Sequence, residues 1–163
     1  MTREKFWFFM PFRVRYAEAD QQGLLFNAHY LAYFDTAIVE YFRALPYDLQ
    51  GEARDAGVDF HVVRAVVEYK APIRFDQEVD VAVRIARLGR SSLTFHLAIF
   101  GHSADDLLAA GEIVWVNTDQ MTRSAVPVPQ NLRELVDNHA DTGREDGSIH
   151  SPINTSNTSN TSQ

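Results

Sequence analysis

The sequence predicts an α+β domain in which a five-stranded antiparallel sheet curls around one long, largely buried helix. Three observations predict it. Between Ala28 and Leu45 the apolar residues recur at three- and four-residue spacing, as on the packed face of a helix. Several later segments alternate apolar and polar residues, as half-buried strands do. The order is strand, long helix, then four strands, and an antiparallel sheet that carries one apolar helix must bury its apolar face on it.

Phe12, Val14 and Tyr16 alternate with Arg13 and Arg15, which predicts the first strand. The loop from Ala17 to Phe26 has no periodic pattern. The helix follows, with Leu31, Phe34, Ile38, Tyr41, Phe42 and Leu45 on its apolar stripe. Asn27 is a natural N-cap, because its side-chain oxygen can accept an orphan backbone N–H, and Pro46 marks the end. Only His29, Asp35, Thr36, Glu40 and Arg43 are strongly polar along it, so burial on most of its surface is expected.

Val58 to Lys70 reads as a long strand whose Val62, Val63, Val66 and Val67 suit cover on both faces. Val79, Val81, Val83 and Ile85 alternate with Asp80, Ala82, Arg84 and Ala86. Leu93, Phe95, Leu97 and Ile99 alternate with Thr94, His96 and Ala98. A last strand runs from Leu107 to Asn117, and the connections "LGRSS" and "GHSADD" have hairpin character. A short helix is expected from near Asn131. The domain is placed at residues 1–140. Residues 141–163, ending in the repeat "NTSNTSNTSQ", have nothing to bury and are expected to be disordered. Sequons at Asn154, Asn157 and Asn160 are not expected to be glycosylated, because no signal peptide is recognised.

At 163 residues the chain has the size of one domain, and 45% hydrophobic with 23% charged residues suffices for a core and a solvated surface. A net charge of −7 disfavours nucleic acid as a partner. With no cysteine there is no thiolate metal site and no thiol nucleophile. The histidines show no ligand spacing, so no metal is expected. The apolar run Phe6 to Met10 is too short for a signal segment, and no stretch approaches a membrane span, so a cytoplasmic protein is expected.

The chemistry is sought at Asp20. A carboxylate is ionised at neutral pH, and this one precedes the helix start at Asn27 and Ala28, where free N–H groups and a partial positive charge would polarise a carbonyl oxygen. From the other face of that carbonyl, Asp20 could attack it or take a proton from a water that does. The competing reading makes Asp20 and Gly23 ordinary turn residues. His29 is a second candidate base, without a paired carboxylate in sequence. "RLGRSS", Arg87 to Ser92, offers two arginines, two hydroxyls and turn N–H groups to a phosphate, or is a plain solvated hairpin.

"YAEADQQGLLFNAHYLAYFDTAIVEYF" resembles the signature of the hot-dog-fold acyl-CoA thioesterases, in the group that includes 4-hydroxybenzoyl-CoA thioesterase and the Tol-Pal-associated thioesterases. Asp20, Gly23, Leu24, Leu25, Phe26, Asn27, Tyr30 and Leu31 fill the signature's places. "VEYKAPIRFDQEV" and "RLGRSSLTF" resemble later segments of the same family. The resemblance implies the hot-dog fold, a homodimer pairing sheets edge to edge and often a homotetramer, sites at the dimer interface, an acyl-CoA substrate and no cofactor. It implies Asp20 as the catalytic acid, the N–H groups around Asn27 and Ala28 as the carbonyl-polarising end, and Gly23 and Tyr30 as neighbours of the substrate. Arg90, Ser91 and Ser92 fall where members meet the phosphates of coenzyme A. Asn27 departs from members with His at that place, so no histidine base is assumed beside Asp20. A non-catalytic acyl-CoA or acyl-carrier binding module and a hot-dog hydratase are the alternatives. A binder has no use for a carboxylate aimed at a carbonyl, and a hydratase places a histidine opposite an acid.

Overall fold

A computed structural model describes residues 1–142. Its sheet has five antiparallel strands, β1 (Phe8–Arg13), β2 (Val58–Tyr69), β3 (Glu78–Leu88), β4 (Ser92–Gly101) and β5 (Leu107–Asp119), in the spatial order β1-β3-β4-β5-β2. Helix α1 (His29–Ala44) lies against one face, α2 (Leu49–Ala56) leads into β2, and α3 (Gln130–Thr142) follows the sheet. This is the hot-dog fold. The tail segment from residue 143 onward lies outside the described residues. Among the described residues no helix is long and apolar enough to cross a membrane.

The alternation in β3 and β4 decides which side chains meet the helix. Val79, Val81, Val83, Leu93, Phe95, Leu97 and Ile99 are buried with Phe34, Ile38, Tyr41 and Phe42 of α1. The opposite face carries a smaller cluster, Phe6, Ala82, Ala98 and Phe100. Helix and sheet approach closely at Gly111 of β5, where a Cβ would lie 2.5 Å from the Phe34 ring. Phe34 is fully buried and has nowhere to move. Gly111→Ala is therefore expected to cost about 1–3 kcal/mol through overpacking. A urea midpoint equal to that of the parent protein would mean that the ring yields.

Four expectations need correction. The first strand is Phe8–Arg13 rather than Phe12 to Tyr16, and Tyr16 is 85% exposed at the start of a 3₁₀ turn, Tyr16–Glu18. Helix α2 was not expected at all; Asp48 caps it by accepting the Gly51 N–H at 3.0 Å, and Gly57 ends it with φ 66°. Leu31 is exposed, while Tyr30 and Tyr33 are buried. Finally, β2 is an edge strand and is not covered on both faces. Val62 is 55% exposed, although it pairs with Trp115 on the helix-facing side.

Candidate active site

Asp20 sits on a tight turn that it helps to build. Its Oδ1 accepts the N–H groups of Gln22 at 2.8 Å and Leu24 at 3.1 Å. Its backbone carbonyl accepts the Gly23 N–H at 3.0 Å, and Gly23 adopts φ 72°, a left-handed conformation that glycine takes without strain. The other carboxylate oxygen, Oδ2, has no hydrogen-bond partner among the described residues. Turn formation thus uses one oxygen and leaves the second open.

That residue borders a cavity of about 320 Å³ together with Leu24, Leu25, Phe26, Asn27, Tyr30, Tyr69 and Pro72. The cavity therefore joins the acid loop, the start of α1 and the end of β2. Asn27 does not cap the helix. Ala28 holds the cap position with helical backbone angles, and no side chain hydrogen-bonds to the helix end. A turn before the helix, with the His29 N–H on the Phe26 carbonyl at 2.9 Å, displaces Asn27 from the capping place. An end without a side-chain cap leaves backbone N–H groups and their partial positive charge for another acceptor.

Tyr69 is a lining residue that sequence reasoning did not single out. Its hydroxyl donates to the Asn27 carbonyl at 3.3 Å, and its ring meets Tyr30 edge-on at 4.8 Å. Its signals in the sequence were its place in "VEYKAPIRFDQEV" and an aromatic residue at a strand end, which many core strands share. Tyr30 is buried, and burial pushes its hydroxyl pKa up, so it is a neutral group at the cavity wall. His29 is half-buried, with its ring 6.1 Å from that of Phe26. Among the described residues no group of His, Asp and Glu is arranged to hold a metal ion.

Arg90, Ser91 and Ser92 are not brought to Asp20 within one chain. Their hairpin is tied to the far end of β5, where the Asn117 N–H reaches the Ser91 carbonyl at 2.8 Å. Arg133 of α3 holds it from the other side, donating to the carbonyls of Gly89 and Arg90 at 2.6 Å each. Tyr69, on the cavity, pairs with Ala109 at the opposite end of β5. From Ala109 to Asn117 a strand extends on the order of 25 Å. The Arg90 side chain is exposed.

Comparison with known proteins agrees with the fold. Residues 14–136 match the model of the thioesterase-like superfamily. The chain is 28% identical over 122 residues to the acyl-CoA thioester hydrolase YbgC of Escherichia coli, covering 75% of this chain and 90% of that protein. The crystal structure of the PA5185 protein from Pseudomonas aeruginosa strain PAO1 superposes with a TM-score of 0.74 at 33% identity, over 84% of this chain and 94% of that one. A 1,4-dihydroxy-2-naphthoyl-CoA thioesterase from Synechocystis shares the fold with a TM-score of 0.74 at 18% identity, over 80% of this chain and 95% of that one.

Proposed function

The chain belongs to the thioesterase-like superfamily, and from that premise we propose that it hydrolyses an acyl-CoA thioester to the free acid and coenzyme A. One observation carries the reading: a single cavity is lined both by Asp20, whose second carboxylate oxygen has no partner among the described residues, and by Asn27 and Tyr30 at the start of α1, which has no side-chain cap. The thioester carbonyl lies between them, with its oxygen toward the backbone at Asn27 and Ala28. Negative charge develops on that oxygen as the carbonyl is attacked, and fixed N–H donors there contribute roughly 2.7–4 kcal/mol. Asp20 either bonds to the carbonyl carbon, giving a mixed anhydride that water then cleaves, or takes a proton from the attacking water. Either route expels the thiolate, whose conjugate acid has a pKa of about 8.5, so no strong general acid is required. Tyr69 steadies the helix start through its bond to the Asn27 carbonyl. The catalytic domain is residues 1–140, and residues 141–163 take no part.

Two copies complete the site. Val62 and Tyr69 lie on the helix side of β2 yet are 55% and 54% exposed, and Phe26 and Leu31 are exposed as well. An unpaired strand edge beside such an apolar strip fits a second copy related by a two-fold axis. Antiparallel pairing of the two β2 edges carries the partner's hairpin across the length that separates Arg90 from Asp20 in one chain. The partner subunit's Arg90 then meets the coenzyme A phosphates, with Ser91 and Ser92 as further donors. Dimers of this kind assemble into a tetramer.

Arg90→Ala is expected to raise KM several-fold and leave kcat within about twofold, with the difference shrinking as salt screens the charge. An unchanged KM at low salt would make Arg90 a solvated surface residue. The placement of the carbonyl is tested with an inert analogue in which carbon replaces the thioester sulfur. In a crystal of that complex the carbonyl oxygen is expected within hydrogen-bond reach of the α1 start. An acyl group bound elsewhere would reject this geometry.

A further inference from the structure

We propose that Glu18 is a positioning residue for Asp20, locking the acid loop to helix α1 through the hydroxyl of Tyr33. The inference rests on the reading of Asp20 given above and adds the device that fixes its aim.

Glu18 is only 3% exposed, which is rare for a carboxylate and calls for partners. Its Oε2 accepts the Tyr33 hydroxyl at 2.7 Å and the Arg15 backbone N–H at 2.9 Å. Its Oε1 accepts Nε of Arg15 at 2.9 Å and pairs with the guanidinium terminus. The same residue's carbonyl accepts the Phe26 N–H at 2.8 Å, and Ala19 and Leu25 bridge beside it. Glu18 thus grips both limbs of the loop that carries Asp20, and Phe26 itself lines the cavity.

Tyr33 gives this grip a fixed reference. It is buried on α1, and its ring stacks on Phe12 of β1 at 4.5 Å with 14° between the planes. Tyr30, on the cavity wall, is one helical turn earlier. The acid loop and the carbonyl-polarising helix are therefore registered to each other by one carboxylate–hydroxyl bond. Burial pushes the Glu18 carboxyl pKa up, but the hydrogen bonds from Arg15 and Tyr33 outweigh it and hold it at about 2, so the clamp stays charged. Burial and the Glu18 carboxylate raise the Tyr33 pKa, which keeps its hydroxyl a donor. The Arg15 side chain is mostly in water, so the ion pair itself contributes little; the buried bond to Tyr33 sets the geometry. Buried carboxylates seldom add net stability over an apolar replacement, whereas a small misplacement of a reacting group can cost up to about 10²-fold in rate.

The test uses the full chain with the acyl-CoA it turns over fastest, comparing Tyr33→Phe, Glu18→Gln and Asp20→Asn with the parent protein. Tyr33→Phe keeps the ring stacked on Phe12 and removes a single hydroxyl. It is expected to lower kcat on the order of 10-fold while KM stays within about twofold, because aim is lost and ground-state binding is not. Glu18→Gln keeps an oxygen for the Tyr33 hydroxyl but turns an amide nitrogen toward Arg15, so a smaller loss of kcat with KM unchanged is expected. The double variant should be no slower than Tyr33→Phe alone, since the Tyr33 hydroxyl is the bond that sets the aim. If Glu18→Gln does not fold, Tyr33→Phe decides alone. A Tyr33→Phe protein that melts at a lower temperature but keeps the parent kcat at 25 °C would overturn the inference and leave Glu18 a fold-stabilising residue. Should Asp20→Asn be inactive in the same series, only the positioning role falls. Full turnover by Asp20→Asn would remove the premise and the inference together.

Discussion

Asp20→Asn is expected to lower kcat by at least about 10²-fold, the low end for loss of a general base or nucleophile. The substitution is unusually clean because the two carboxylate oxygens have separate work. Oδ1 receives the Gln22 and Leu24 N–H groups, and an asparagine carbonyl can receive the same two. Oδ2 has no partner among the described residues, and there an amide nitrogen would replace it. An amide neither attacks a thioester nor takes a proton from water. The turn survives, so stability should change by less than about 1 kcal/mol. Thiol release and thermal melting of the same preparation check both statements. A variant that keeps parental turnover but melts several degrees lower would make Asp20 a turn residue and nothing more.

Val62→Asp is expected to separate the copies and to depress turnover with them. Val62 belongs to the exposed apolar strip along the β2 edge rather than to the core, so one chain should fold with the substitution. Two-fold symmetry would place the new charge twice in a single interface, desolvated and facing its own kind. The dissociation constant between copies should rise by at least about 10²-fold. Light scattering should show the parent as a multiple of the 18.5 kDa chain mass and the variant as the chain mass alone. In the proposed shared site the hairpin that meets the phosphates comes from the other copy, so KM should rise as the oligomer is lost. A fully active single-chain species would reject the shared site.

The strands legible in the sequence were those whose large apolar residues gather on one face. Strands β3 and β4 set theirs against α1, and apart from Phe100 the residues on their other face are small or polar, so their alternation was plain. Strand β1 was misplaced because both of its faces meet apolar partners. Phe8, Met10 and Phe12 pack toward α1 while Phe9 joins the outer cluster, and alternation disappears. Helix α2 is short and mostly polar, and its cap residues, Asp48 and Gly57, were the available signal. The valines of β2 read as doubly covered because a sequence does not state which strand lies at an edge. Within the site, Asp20 and the start of α1 were found because they are close in the chain. Tyr69 reaches Asn27, and Tyr33 reaches Glu18, only through the fold. Arg90 was legible as a candidate, but its distance from Asp20 within one chain was not.

The central claim, thioester hydrolysis at the cavity between Asp20 and the start of α1, is tested most directly by thiol release. A panel of acyl-CoAs with short, branched, long and aromatic acyl groups is incubated with the parent chain and with Asp20→Asn, and free coenzyme A is trapped by a thiol-reactive dye. At least one acyl-CoA should release thiol with the parent at a rate about 10²-fold or more above the variant. Release from every member of the panel at the variant's rate would contradict the claim.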